Sequence, residues 1–168
     1  MKNGILGGSF DPAHKGHLAI SKEAKKRFKL EKIIWAITKK NPLKAESKAP
    51  ISKKIKDCKK IIGLNSFIKV KFYENIIKSN KTIDLINYLK KNKNLEIFFL
   101  MGADNLISFH KWHKSKLISQ KCNILVFDRH GYKKNSLKSK TFKRLKNKTL
   151  TFVEFKKVNI SSSQLRKI

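Results

Sequence analysis

Six short apolar runs recur along the whole chain, and no other feature of the sequence narrows its fold as much. They are Asn3 to Leu6, Lys32 to Ile37, Phe67 to Tyr73, Leu95 to Met101, Asn123 to Phe127 and Thr149 to Phe155, each four to seven residues long and rich in Ile, Val and Phe. Runs of that length and residue type read as β-strands. Helical patterns lie between them. Ile51, Ile55, Cys58 and Ile62 are spaced i, i+4, i+7, i+11, which lays one apolar stripe along a helix bounded by Pro50 and Gly63. Ile20, Ala24 and Phe28 mark a helix after the first strand, and Leu85, Ile86 and Leu89 mark another behind Thr82, a residue suited to an N-cap.

Strands that alternate with helices, and that are apolar at nearly every position rather than every second one, belong to sheets covered on both sides. The expected fold is therefore α/β: a Rossmann-like, doubly wound, largely parallel sheet with helices on both faces. Ligands in such sheets bind beyond the carboxyl ends of the strands, beside the point where strand order reverses. The lysine-rich stretches Thr38 to Lys48 and Tyr132 to Lys148 lack clear periodicity. They read as loops that could move over the site, the second with room for a short helix.

At 168 residues the chain is expected to form one domain, and 40% hydrophobic residues with 11 Phe provide apolar surface for a core. The formal net charge is +30. Nearly all of it is Lys, with Arg at positions 27, 129, 144 and 166, and the lysines are spread along the chain. A dedicated nucleic-acid reader leans on clustered Arg, so the charge reads as a solvated basic surface that draws in anions, with no specific nucleic acid expected. Cys58 and Cys122 lack the close spacing of a redox motif or metal site and are expected to be buried, reduced thiols. There is no signal-peptide pattern at the start and no 18-residue apolar run, so a cytoplasmic protein without membrane association is expected.

Chemistry concentrates first in Gly7-Gly8-Ser9-Phe10-Asp11-Pro12-Ala13-His14-Lys15-Gly16-His17, directly after the first strand. Glycines let the backbone turn tightly and approach a ligand with its N–H groups. His14 and His17, three residues apart at the start of a helix, can project from one side of its first turn. Helix N-termini carry partial positive charge and unpaired donors, so two imidazoles there make a phosphate clamp. Taken alone, His-x-x-His is as compatible with surface or core histidines, and no further ligands at suitable spacing support zinc.

Three more segments carry functional candidates beside ordinary structural readings. Gly102-Ala103-Asp104 follows an apolar run, where the carboxylate could hold two ribose hydroxyls or simply cap a helix. Ser161, Ser162 and Ser163 before Arg166 could converge on phosphate or serve as a plain N-cap. Trp112, between His110 and His113 in the neighbourhood, could stack on a planar ring or fill the core.

The full eleven-residue string resembles the signature of the nucleotidyltransferase superfamily in its bacterial nicotinate-nucleotide adenylyltransferase form. The likeness runs through nearly the whole chain. Asn41-Pro42-Leu43-Lys44 resembles a basic loop after strand two, Lys81-Thr82-Ile83-Asp84-Leu85 the family's Thr before its third helix, and Gly102-Ala103-Asp104 with Trp112 its Gly-Ala-Asp and Trp segment. Phe127-Asp128-Arg129-His130-Gly131 resembles the Arg-Pro-Gly turn, with His130 in place of Pro, and Ile160 to Arg166 the closing Ile-Ser-Ser-Thr-x-Ile-Arg motif.

The resemblance implies an enzyme of NAD biosynthesis in which the phosphate of nicotinate mononucleotide attacks the α-phosphorus of ATP and pyrophosphate leaves. It implies His14 and His17 as catalytic hydrogen-bond donors to the phosphate chain. Gly8, Ser9, Phe10, Gly102, Asp104, Ser161, Ser162 and Arg166 then bind ATP, and Lys44, Thr82, Trp112 and Arg129 bind the acceptor. Mg²⁺ is expected on the triphosphate, held by phosphates and water rather than by protein side chains. A homo-oligomer stays open. The competing readings are phosphopantetheine adenylyltransferase, which normally shows a Thr-Phe-Asp-Pro start and Asn-Gly-His, a cytidylyltransferase using CTP, and a basic nucleic-acid-binding module.

Overall fold

A computed structural model describes residues 1–39 and 49–155. The strands are β1 (Lys2–Gly8), β2 (Lys32–Ile37), β3 (Ile68–Lys71), β4 (Glu96–Gly102), β5 (Asn123–Phe127) and β6 (Leu150–Val153). All five pairings are parallel, in the order β3-β2-β1-β4-β5-β6. The chain steps outward from β1 through β2 to β3, then returns to lay β4 on the other side of β1. The reversal of strand order therefore falls between β1 and β4, as expected for a doubly wound sheet.

Helices α1 (Lys15–Phe28), α2 (Ile51–Ile62), α3 (Glu74–Ile77), α4 (Thr82–Leu89), α5 (Ala103–Ser108), α6 (Ser115–Lys121), α7 (Lys133–Leu137) and α8 (Lys140–Leu145) fill the connections. The continuous apolar strands have a simple cause. Successive side chains point to opposite faces, and both faces are buried. In β2, Ile33, Trp35 and Ile37 pack with Ala24 of α1 and Cys58 and Ile62 of α2, whereas Ile34 and Ala36 join Ile83 and Ile86 of α4 and Leu106 of α5 on the other side. In β4, Phe98 and Leu100 face the first layer, and Ile97, Phe99 and Met101 the second.

The stripe predicted between Pro50 and Gly63 is α2, and Gly63 ends it at φ +56, a backbone conformation glycine adopts without a Cβ penalty. Both cysteines are unpaired and buried, and burial raises each thiol to about 12. No described helix is long and apolar enough to cross a membrane.

Two expectations are corrected. Thr82 is the first residue of α4 and Lys81 is the N-cap. The Ser79 hydroxyl accepts from the Lys81 N–H and donates to Asp84 Oδ2, which organises the entry to the helix without a capping threonine. The stretch from Tyr132 to Lys148 is not an open loop but the pair α7 and α8. Ser139 caps α8 by accepting from the Phe142 N–H, and Thr141 and Leu145 are buried. A turn between the two helices breaks their apolar spacing, so no continuous stripe was visible.

Candidate active site at the switch point

The turn leaving β1 brings the two histidines together through backbone chemistry. His14 sits just before α1 in an extended conformation, and its Nδ1 accepts from the Gly16 N–H at 3.0 Å. His17, in the first turn, returns the contact: its Nδ1 accepts from the His14 N–H at 3.1 Å. Imidazoles thus replace the hydroxyl and carboxylate of an ordinary capping box. The rings lie 3.9 Å apart, centroid to centroid.

This arrangement fixes the protonation pattern. An Nδ1 that accepts a hydrogen bond carries no proton, so the neutral ring holds its proton on Nε2 and presents an Nε2–H donor. His14 is held in the neutral form: burial, and secondly the charge of Arg129, lower its pKa from 6.5 to about 4. Beneath the pair lies Phe10, whose backbone turns through φ +48 so that its ring enters the core. It stacks on Trp35 at 5.2 Å and lies 4.6 Å from the His17 ring. The Phe10 ring is therefore a support for His17 rather than a surface for a ligand.

Across the switch point, β4 ends at Gly102, which caps α5, with Asp104 in the first turn. Arg129, just beyond β5, donates from Nη1 to Asp104 Oδ2 at 2.7 Å. The other carboxylate oxygen, Oδ1, is buried and has no hydrogen-bond partner among the described residues. A Cβ added at Gly102 would lie 2.6 Å from that Oδ1, so glycine is what lets the carboxylate fold back over the strand end.

On the opposite flank, an open cleft runs along the carboxyl ends of β1 and β2. Gly7, Thr38, Tyr73, Glu74, Thr82 and Phe99 are among its walls. Trp112 stands behind this wall, edge-on to Phe99 at 5.9 Å and tilted against Phe109 at 5.1 Å. Glu74 in the wall has its carboxyl pKa pushed up by burial, and one of its oxygens is buried with no partner among the described residues.

The model of the cytidylyltransferase-like family matches residues 5–168. The chain belongs to the cytidylyltransferase-like family. Within it, a "Probable nicotinate-nucleotide adenylyltransferase" of Pelagibacter ubique is 67% identical over 99% of this chain and 93% of its own length. A second protein so named, from Rhizobium johnstonii, is 34% identical over 83% of this chain and 71% of its own. A solved nicotinic acid mononucleotide adenylyltransferase of Plasmodium falciparum, complexed with NaAD, superposes with a TM-score of 0.79 over 99% of this chain and 82% of its own, at 21% identity. That likeness supports the same family fold.

The residues singled out from sequence distribute unevenly over this family fold. His14 and His17 are together, with Gly8, Ser9 and Phe10 in the turn leading to them. Gly102, Asp104 and Arg129 form one group, and Arg129 is near enough to depress the pKa of His14. Arg129 thus stands beside Asp104 and His14 rather than in the wall of the cleft. Thr82 lines the cleft, and Trp112 reaches it through Phe99. Lys44, Ser161, Ser162 and Arg166 lie outside the described residues. Sequence reasoning passed over Tyr73, Glu74, Ser79 and Lys81, which also line the cleft. The available signal for Tyr73 and Glu74 was their position just after β3, at a strand's carboxyl end.

Proposed function

We propose that this protein is a nicotinate-nucleotide adenylyltransferase, joining ATP and nicotinate mononucleotide to give nicotinate adenine dinucleotide and pyrophosphate. The observation that carries the chemistry is the imidazole pair at the start of α1, 3.9 Å apart with both Nδ1 atoms committed to backbone N–H groups. The names borne by full-length relatives at 67% and 34% identity support the choice of substrates.

An oxygen of the mononucleotide phosphate attacks the α-phosphorus of ATP, the bond from that phosphorus to the bridging oxygen breaks, and pyrophosphate carries away the electron pair. No covalent intermediate on the protein is needed. The barrier lies in bringing two anions together and in the charge that builds on the α-phosphate and leaving group. The Nε2–H groups of His14 and His17 donate to those oxygens, and the turn at Gly8, Ser9 and Phe10 adds backbone donors. Asp104, through the oxygen not engaged by Arg129, accepts from the adenosine ribose next to Gly102. Arg129 orients that carboxylate and adds positive charge beside His14. Ser161, Ser162 and Arg166 complete the triphosphate side. Thr82 and Trp112, with Phe99 between Trp112 and the cleft, place the nicotinate ring, and Lys44 adds charge near the acceptor phosphate.

Mg²⁺ fits as part of the nucleotide substrate. Among the described residues no three His, Cys, Asp or Glu side chains converge, and the carboxylate beside the imidazoles, Asp104, is already paired with Arg129. A hard cation that keeps its water prefers the phosphate oxygens of ATP. The reaction is placed in the cytoplasm.

A pyrophosphate-release assay with ATP and a panel of acceptors tests the reading. Nicotinate mononucleotide is expected to give the highest kcat/KM, ahead of nicotinamide mononucleotide and phosphopantetheine. Preference for phosphopantetheine, or for CTP over ATP, would replace this reading by one of its sister activities.

A further inference from the structure

Of the residues behind the imidazole pair, two are fully buried and polar, and neither touches a ligand surface. Trp35 in β2 and Ser21 in α1 are both 0% exposed. The indole N–H of Trp35 donates to Ser21 Oγ at 2.8 Å, and the Ser21 hydroxyl donates its own proton to the carbonyl oxygen of His17 at 2.8 Å. The chain of bonds is directional. Because Ser21 Oγ accepts from the indole, its single proton is left for the His17 carbonyl.

A second route reaches the same histidine through its ring. Trp35 stacks on Phe10 with an angle of 17° between the planes, and Phe10 and Trp35 lie 4.6 and 5.8 Å from the His17 imidazole. One tryptophan therefore fixes His17 at both ends: at the backbone through a hydroxyl, and at the ring through an aromatic stack. A buried Trp N–H needs some partner, and a helical Ser often bonds the carbonyl one turn back. Filling the core requires neither to converge on a residue of the phosphate clamp. A donor contributes most when it is already aimed at the place where charge develops, so rotational slack in this imidazole is a loss of turnover.

We infer that Trp35 and Ser21 are positioning residues for His17, a brace that aims its Nε2–H at the reacting phosphates. The inference rests on the adenylyltransferase reading, and its test separates the two.

Trp35→Phe keeps the aromatic ring and deletes the N–H, Ser21→Ala deletes the hydroxyl, and Ser21→Thr retains it. Each is assayed by pyrophosphate release in the wild-type and in the His17→Ala background, after circular dichroism shows a folded chain at the assay temperature. In the wild-type background Trp35→Phe and Ser21→Ala are expected to lower kcat about fivefold, the scale of one net hydrogen bond, with both KM values nearly unchanged. In the His17→Ala background the same changes should have almost no effect, and in the wild-type background Ser21→Thr should keep most of the activity that Ser21→Ala loses. Equal losses in both backgrounds, or none in either, would overturn the brace. A variant that does not fold is replaced by the other, since each interrupts the same chain of bonds. The ¹⁵N resonances of the His17 ring provide a readout independent of activity. They should move in Trp35→Phe and Ser21→Ala and return in Ser21→Thr. If the wild-type chain turned over none of the acceptors, the functional reading would fail while these resonances still judged the brace, and unmoved resonances would sink it.

Discussion

Arg129 holds one oxygen of Asp104 at 2.7 Å, the other is buried with no partner among the described residues, and the same guanidinium depresses the pKa of His14. One cation thus links the two halves of the switch point. Replacing it by Gln should let the His14 pKa rise from about 4, because one of its two causes is removed while burial remains. An NMR titration of the His14 ring in both proteins measures this. An unchanged midpoint would mean that the two residues do not sense each other.

Gly102 tests the same corner by steric means. The Cβ of an alanine would lie 2.6 Å from Asp104 Oδ1, the movable tip of a side chain rather than backbone. Gly102→Ala should therefore fold with a stability loss within about 1 kcal/mol, yet displace the carboxylate. The KM for ATP is expected to rise about tenfold, the scale of one hydrogen bond to a charged group, with little change in the KM for nicotinate mononucleotide. An unaltered KM for ATP would remove Asp104 from nucleotide binding.

The depressed pKa of His14 also sets a pH dependence of stability. Between about 4 and 6.5 the unfolded chain binds a proton at His14 that the folded chain does not. Protons in that window favour unfolding, so this contribution is complete above pH 6.5 and is lost as pH falls toward 4. His14→Asn keeps a residue able to cap the helix and removes the titration. Urea midpoints measured across this range should fall less steeply with acid in the variant. Parallel curves would contradict the protonation state assigned to His14.

Much of this was legible in the sequence because the sheet is covered on both faces. Two apolar layers leave strands such as Lys32–Ile37 no polar positions in their interior, so their limits stand out against the lysine-rich surroundings. The helix Ile51–Ile62 was equally plain, since Gly63 and Pro50 frame one stripe. Less was readable where short elements meet. Leu137, Phe142 and Leu145 belong to two helices broken by the turn that Ser139 caps, and no single period spans them. The histidines were legible as neighbours, but the backbone bonds that fix their tautomer depend on the extended conformation of His14, which a string of letters does not encode. The pairing of Arg129 with Asp104 was hidden for a related reason: the two are distant in sequence and meet across the β4–β5 boundary. The cleft wall of Tyr73 and Glu74 likewise arises from where β3 ends, two residues before the expected limit at Tyr73.

The central claim is that the imidazole pair at the start of α1 stabilises charge on the reacting phosphates. Steady-state turnover of His17→Ala with ATP and nicotinate mononucleotide tests it most directly. The substitution also removes the acceptor for the His14 N–H, so a loss of about 1 kcal/mol in stability is expected alongside the kinetic effect. In the folded variant kcat should drop by roughly 10² to 10³, the loss typical of one preorganised donor to a developing oxyanion. A folded His17→Ala protein with the turnover of the wild type would contradict the account.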